Sequence, residues 1–207
     1  MKTAKKINKR LFDIFFSLSV IIFLSPVMLC IAILIRLSMG KNVFFRQKRP
    51  GFKGNPFVMI KFRTMSDAKD SQGNLLPDKD RLAPLGNLLR QTSLDELPEF
   101  FNVLKGDMSV VGPRPLLMSY LNRYTSDQMR RHDALPGVTG WAQIHGRNAI
   151  SWEEKFDLDL WYIDHQSFLL DMHIIARTIQ KTLSRSDIHH DGCVTMEPFM
   201  GTLSSSY

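Results

Sequence analysis

Residues 14–35, IFFSLSVIIFLSPVMLCIAILI, decide how the chain is organised. They run for 22 residues without a charged side chain. As one helix the stretch would measure about 33 Å at 1.5 Å per residue, close to the ~30 Å hydrocarbon core of a bilayer. Ser25-Pro26 falls in its middle, where proline removes a helical N–H and crowds the preceding turn. Both flanks are basic. Lys2, Lys5, Lys6, Lys9 and Arg10 precede the stretch, and Arg36, Lys41, Arg46, Lys48, Arg49 and Lys53 follow it. The positive-inside tendency therefore places both ends in the cytosol. A helix that bends at Ser25-Pro26 and returns satisfies both facts, with arms of about 16–18 Å that each penetrate one leaflet. A proline-kinked spanning helix is the alternative, because membranes tolerate such kinks. A cleaved signal peptide fits poorly, since Arg36 follows the run directly and no small-x-small site is evident. A buried soluble helix also fits poorly, because Phe15, Phe16, Ile21, Ile22 and Phe23 point around every face.

The charge follows the same division. Residues 1–66 hold 13 of the 27 Lys and Arg and a single acid, Asp13, a net of +12. The remainder holds 14 basic and 19 acidic residues, a net of −5, which returns the whole-chain +7. A basic third joined to a mildly acidic body argues against nucleic acid and for an anionic membrane surface or a polyphosphate. The chain's 207 residues suit one compact unit, with residues 1–40 as basic N-terminus and membrane helix and 41–207 as a cytosolic body. Two cysteines exclude a disulfide scaffold.

The body reads as α+β and mostly helical. Val43–Gln47 and Phe57–Arg63 are β-like, and the PGFKGNP between them makes a hairpin. Residues 71–80 read as a loop. Helical patterns cover about 81–91, 95–105, 115–124 and 126–134. Ser151 and Glu154 form a capping box that opens a helix to about His165. From Ser167 to Arg185 an apolar arc of Phe168, Leu169, Met172, Ile175, Ala176, Ile179 and Leu183 leaves out only Leu170 and Ile174. That arc suits either core packing or a membrane interface.

Chemistry-bearing residues concentrate in 88–115, LLRQTSLDELPEFFNVLKGDMSVVGPRP. Asp95 and Glu96 precede a helix. Placing Asp95 at the N-cap moves Pro98 into the permissive first turn and predicts an ionised carboxylate; a Ser93–Glu96 capping box is the alternative. Arg90 precedes the pair, and Arg114 is pinned between Pro113 and Pro115. Two guanidiniums around two carboxylates fit a bidentate anion such as phosphate, and adjacent carboxylates can take Mg²⁺ bridging to phosphate oxygens. Ordinary salt bridges at helix ends would use the same residues.

The motifs KFRTM at 61–65, SLDELPEFFNVLKGDMSVVGPRP at 93–115, PGVTGWAQ at 136–143 and GRNAISWEEKFDLD at 146–159, together with the basic start and Ser25-Pro26, carry a resemblance over about residues 7–200. The chain resembles the small monotopic phosphoglycosyl transferases, bacterial sugar transferases that initiate glycan assembly on undecaprenyl phosphate. Its C-terminal half, through TMEPFMG at 195–201, looks most like those handling N,N′-diacetylbacillosamine. The resemblance implies a monotopic enzyme at the cytosolic face of the bacterial inner membrane, with amphipathic interfacial helices. It implies a UDP-sugar donor, N-acetylated or diacetamido, and an undecaprenyl phosphate acceptor. Asp95 would be the nucleophile, forming a covalent phosphosugar–aspartate and releasing UMP. Glu96 would serve as metal ligand or base, and Asp95 and Glu96 would hold Mg²⁺. Arg90, Arg114 and Lys61 would neutralise phosphate charge, with Arg147 as a further donor contact.

Other features carry less. Asp157 and Asp159 imitate a DxD motif, but helical residues two apart point in different directions. His189, His190, Asp191 and Cys193 read as a solvated tail rather than a metal site. Gly137 and Gly140 read as turn glycines in a loop that could also close over a nucleotide. Apolar faces leave room for a homodimer. A membrane-anchored lipid-binding module, with Asp95 only capping a helix, is the non-enzymatic alternative.

Overall fold

The computed structural model describes residues 2–146, 150–184 and 198–202. Helix α1 (Lys2–Met39) leads into an antiparallel hairpin, β1 (Phe44–Pro50) and β2 (Pro56–Phe62), with Phe44 opposite Phe62 and Pro50 opposite Pro56. Then come α2 (Asp78–Arg81), α3 (Pro84–Gln91), a 3₁₀ turn at Leu94–Glu96 and α4 (Glu99–Lys105). Strand β3 (Ser109–Val111) is followed by 3₁₀ turns at Met118–Arg123 and Arg130–Asp133 around α5 (Ser126–Met129). Strand β4 (Gly137–Thr139), α6 (Trp141–His145), α7 (Trp152–His165) and α8 (Phe168–Ser184) complete the order. The architecture is the expected mostly helical α+β with a long apolar N-terminal helix and a hairpin. The Ser151–Glu154 capping box at the head of α7 forms as read.

Two short strands were not legible. β3 and β4 pair in parallel, Ser109 with Gly137 and Val111 with Thr139. Each is three residues long and bounded by Gly or Pro, too short for a periodicity of two to register. Gly137 is therefore not a turn glycine. A Cβ there would fall 2.1 Å from the Gly112 nitrogen, so the two backbones meet because neither residue has a side chain.

Helix α1 is continuous through Ser25-Pro26, where the sequence reading expected a break. Pro26 cannot donate to the Ile22 carbonyl four residues back. The Ser25 hydroxyl donates to that same carbonyl at 2.8 Å, so the acceptor is satisfied and the helix carries on. One face of α1 is buried along its length at Asp13, Ser17, Met28, Ile31 and Ile35. The opposite face exposes Phe15, Ile22, Phe23, Leu29 and Leu37.

In α8 the apolar arc is divided: Ile175 is buried in the core and Met172 packs against it, while the arc's other edge faces outward. Leu169 is 80% exposed and Phe168 and Ile179 more than half exposed, whereas Ile174, which lay outside the arc, is fully buried. Polar contacts set this rotation. Asp171 reaches Tyr162 (2.7 Å) and Lys9 (2.7 Å), and Thr178 reaches Thr139 (2.6 Å), so the 171/174/178 face turns inward.

Three contacts tie α1 to the body. Arg10 donates to the carbonyls of Val103 (2.5 Å) and Leu104 (2.6 Å) in the last turn of α4. Lys9 pairs with Asp171. Asp13, 1% exposed, accepts from the Ser109 hydroxyl (3.1 Å) and the Val110 N–H (3.0 Å) at the same oxygen. Asp13→Ala leaves the Val110 donor buried without a partner, an expected cost of about 1–3 kcal/mol. Thermal unfolding in detergent should show a lower midpoint for Asp13→Ala and a smaller loss for Asp13→Asn, which keeps an acceptor oxygen. Equal midpoints for wild type and Asp13→Ala would contradict the tie.

Candidate active site

Lys61 sits near the end of β2, in register with buried Phe57 and Met59, so alternation along the strand aims it inward. Its side chain is 13% exposed, which excludes the solvated role open to a strand lysine. Asn102 of α4 holds the helix against this strand like a surrogate neighbour, accepting from the Ile60 N–H (3.0 Å) and donating to the Val58 carbonyl (2.7 Å). The α4 segment and its preceding turn are thereby fixed under Lys61.

The turn carries the acidic pair. Ser93 adopts a left-handed conformation (φ 56°), and the 3₁₀ turn Leu94–Glu96 follows. Pro98, not Asp95, is the N-cap of α4, and Ser93 makes no capping bond, so neither sequence placement holds. The reason is Pro98 itself: lacking an N–H, it interrupts helical bonding and leaves residues 94–96 as a separate tight turn. Asp95 consequently lacks helix-end stabilisation. It is 9% exposed, and among the described residues its carboxylate takes part in no hydrogen bond or ion pair. Burial and adjacent Glu96 push it up to about 6, against the pull of Lys61, Arg114 and Arg90.

Glu96 is the opposite case. Burial disfavours its charge, but Arg114 and Lys61 overcome this and hold it well below the usual carboxylate range. Both cations use one oxygen, Oε1: Lys61 Nζ at 2.7 Å and Arg114 Nη2 at 2.6 Å. Lys61 also reaches Glu99 Oε1 at 3.1 Å. Glu99 is 1% exposed, and burial pushes it up to about 7 despite Lys61. Glu99 is the site residue that sequence reading missed. It lies one helical turn after Glu96, a spacing that puts two carboxylates on one side and was available as a signal.

Two further supports fix the cations. Gly86 lets α3 lie directly on the chain after β2, since a Cβ there would fall 1.8 Å from the Thr64 carbonyl oxygen. Arg90, in the last turn of α3, donates from Nε to Thr64 Oγ1 at 3.0 Å and adds positive potential at Asp95. The carbonyl of Arg114 accepts from Arg131 Nη2 (2.9 Å), and Arg131 is paired in the interior with Asp159. Asp157 is exposed and Asp159 buried, so the DxD-like pair is split between solvent and core.

The structure thus brings Asp95, Glu96, Lys61, Arg114 and Arg90 together. Arg147 lies outside the described residues, as do His189, His190, Asp191 and Cys193. Among the described residues no group of three or more His, Cys, Asp or Glu could hold a metal. Mg²⁺ asks less of the protein when a diphosphate supplies oxygens: one or two carboxylates suffice. The free Asp95 carboxylate and Glu96 Oε2, which carries no bond here, fit that requirement.

Residues 4–185 match the family model described as bacterial sugar transferase. The chain is 54% identical over 196 residues to an uncharacterized sugar transferase, EpsL of Bacillus subtilis (strain 168), across 95% of this chain and 97% of that protein. It is 38% identical over 186 residues to the UDP-glucose:undecaprenyl-phosphate glucose-1-phosphate transferase of Escherichia coli (strain K12), across 85% of this chain and 40% of that one. It is also 38% identical over 184 residues to the UDP-N-acetylgalactosamine-undecaprenyl-phosphate N-acetylgalactosaminephosphotransferase of Aeromonas hydrophila, across 85% of this chain and 44% of that one. The chain therefore spans less than half the length of the latter two and nearly all of the first. With the family model covering most of its residues, the chain belongs to the bacterial sugar transferase family, a family of enzymes.

Proposed function

We propose that the protein transfers a sugar 1-phosphate from a UDP-sugar to undecaprenyl phosphate, giving undecaprenyl diphosphate-sugar and UMP. The observation that carries this reading is the unpaired Asp95 carboxylate beside a cationic group of Lys61, Arg114 and Arg90. A carboxylate without partners keeps its lone pairs for attack, and the cations take up charge on the phosphoryl oxygens as it is transferred. In the first step an Asp95 oxygen bonds to the β-phosphorus, and the bond from that phosphorus to the bridging oxygen breaks, so UMP leaves with the electron pair. In the second an oxygen of undecaprenyl phosphate attacks the same phosphorus and expels the Asp95 carboxylate. Dividing one displacement into two lets a soluble donor depart before the lipid acceptor enters. Glu96 holds Lys61 and Arg114 in place and is the further carboxylate toward the acceptor. Mg²⁺ held by Asp95 and Glu96 would supply charge neutralisation on the diphosphate.

The membrane relation rests on α1. Its first half (Arg10, Asp13) and its second half (Met28, Ile31, Ile35) both pack on the same charged body. A spanning helix would leave one of those halves across the bilayer from the body. Entry into one leaflet and return, by a bend at Ser25-Pro26 that keeps the helical hydrogen bonding, with the exposed apolar face of α1 and Phe168, Leu169 and Ile179 of α8 in lipid, agrees with these contacts. Basic residues flanking the apolar stretch would bind anionic headgroups at about 1 kcal/mol each where well placed. The site then lies at headgroup height on the cytosolic face of the inner membrane, where the acceptor phosphate is. The sugar we expect is N-acetylated or diacetamido. Relatives of equal identity are named for glucose and for N-acetylgalactosamine, so a panel of UDP-sugars decides it.

UMP release measured without acceptor should be lost in Asp95→Asn, with folding retained. In wild type it should fall about tenfold per pH unit below about 6, because attack requires the ionised carboxylate, and level off above. Full activity of Asp95→Asn, or a rate unchanged down to pH 4, would contradict the nucleophile assignment. Cysteines at Lys5→Cys and Lys41→Cys should both be labelled from the cytosolic side only. Labelling of one of them from outside would show a true span.

A further inference from the structure

The segment at residues 198–202 is seated in the body by one side chain. Phe199 is 1% exposed, inside a box of Tyr120, Tyr124, Trp152 and Phe156, with ring centroids 5.7, 5.8, 5.5 and 5.0 Å away. Its N–H donates to the Tyr120 hydroxyl at 3.1 Å, and its carbonyl accepts from Arg123. Gln128 donates to Thr202 Oγ1 at 2.7 Å. None of these groups touches the acidic pair.

The box is also the bed of Arg131. The Arg131 guanidinium lies 5.8 Å from the Phe156 ring centroid and 5.9 Å from that of Tyr124, two of the rings that Phe199 packs against. From there it reaches Asp159 Oδ2 at 3.1 and 2.6 Å and the Arg114 carbonyl at 2.9 Å. On the other side, the Gly137 N–H of β4 holds the Pro113 carbonyl at 3.0 Å. The backbone that aims Arg114 at Glu96 is therefore tied at two consecutive carbonyls. One tie is a strand neighbour, and the other is a guanidinium whose position depends on the aromatic box.

We propose that Phe199 is a positioning residue for the transfer reaction, acting through Arg131 on Arg114. The proposal rests on the phosphoryl-transfer reading above. The physical link is close packing. Aromatic rings at these separations leave no slack, and removing one lets its neighbours move into the space. Arg131, stacked on two of those neighbours, moves with them. Displacement of about 1 Å at a group that neutralises phosphate costs on the order of 10²-fold in rate.

The test compares Phe199→Ala, Phe199→Leu, Arg114→Lys and the double variant Phe199→Ala/Arg114→Lys, in the full chain in detergent. Amide hydrogen exchange at Gly112, Arg114 and Leu116, read without substrate, should be about tenfold faster or more in Phe199→Ala and near wild type in Phe199→Leu. In UMP release, Phe199→Ala should lose about tenfold or more in kcat, Phe199→Leu should recover most of it, and the double variant should lose little beyond Arg114→Lys alone. Unchanged exchange at these amides, or losses that multiply in the double variant, would overturn the proposal, the latter because a residue that only stabilises the fold acts independently of Arg114. If wild type released no UMP from any UDP-sugar, the reaction reading would fail on its own, and the exchange result would still decide whether Phe199 positions Arg114.

Discussion

One carboxylate oxygen organises the site. Glu96 Oε1 receives both Lys61 from β2 and Arg114 from the chain after β3. Removing Glu96 would leave two cations facing each other with only the weakly ionised Glu99 between them. A largely buried charge such as Lys61 is costly when stripped of its partner, so this oxygen is what lets two cations sit side by side. The same arrangement explains why the neighbouring carboxylates differ. Glu96 takes the ion pairs and stays charged, while Asp95, one residue earlier, is left without a partner and is pushed up to about 6. In the proposed reaction this separation divides the roles of the adjacent acids, Glu96 as electrostatic anchor and Asp95 as reacting group.

The anchor and the site are not independent modules. Asp13 of α1 holds the Val110 N–H in β3, and three residues later the chain reaches Pro113 and Arg114. Arg10 of α1 covers the end of α4, the helix that the acidic turn precedes. In the proposed membrane arrangement, the depth of α1 sets the height of Arg114 and Asp95 through these two short connections. This is a physical reason for a polar Asp13 within a helix otherwise suited to hydrocarbon.

Much of this was legible in the sequence because it is local or periodic. The apolar run, the hairpin, the capping box at Ser151 and the grouping of Asp95, Glu96, Arg90 and Arg114 all follow from spacing within some thirty residues. Three features were not legible, each for a physical reason. The β3–β4 pair joins segments about 28 residues apart and three residues long, where no local pattern exists. The rotation of α8 was left open between core and interface because apolar periodicity alone does not set it; Asp171 and Thr178 decide which face turns in, burying Ile174 and Ile175 and exposing Phe168, Leu169 and Ile179. Asp95 was assigned to a helix N-cap because that placement moves Pro98 into the first turn, but Pro98 itself is the N-cap and α4 starts at Glu99, which leaves the carboxylate without those N–H groups. Lys61 stood between: alternation along β2 gave its direction, but its partners Glu96 and Glu99 lie 35 and 38 residues away.

The central claim is that Asp95 becomes covalently bonded to the donor's phosphosugar. Intact-protein and peptide mass spectrometry after incubation with the UDP-sugar and Mg²⁺, without undecaprenyl phosphate, tests it most directly. The expected result is a mass increase of one sugar phosphate on the peptide containing Asp95, absent in Asp95→Asn and lost when undecaprenyl phosphate is added. UMP release with no adduct at short times, or an adduct on another residue, would contradict it.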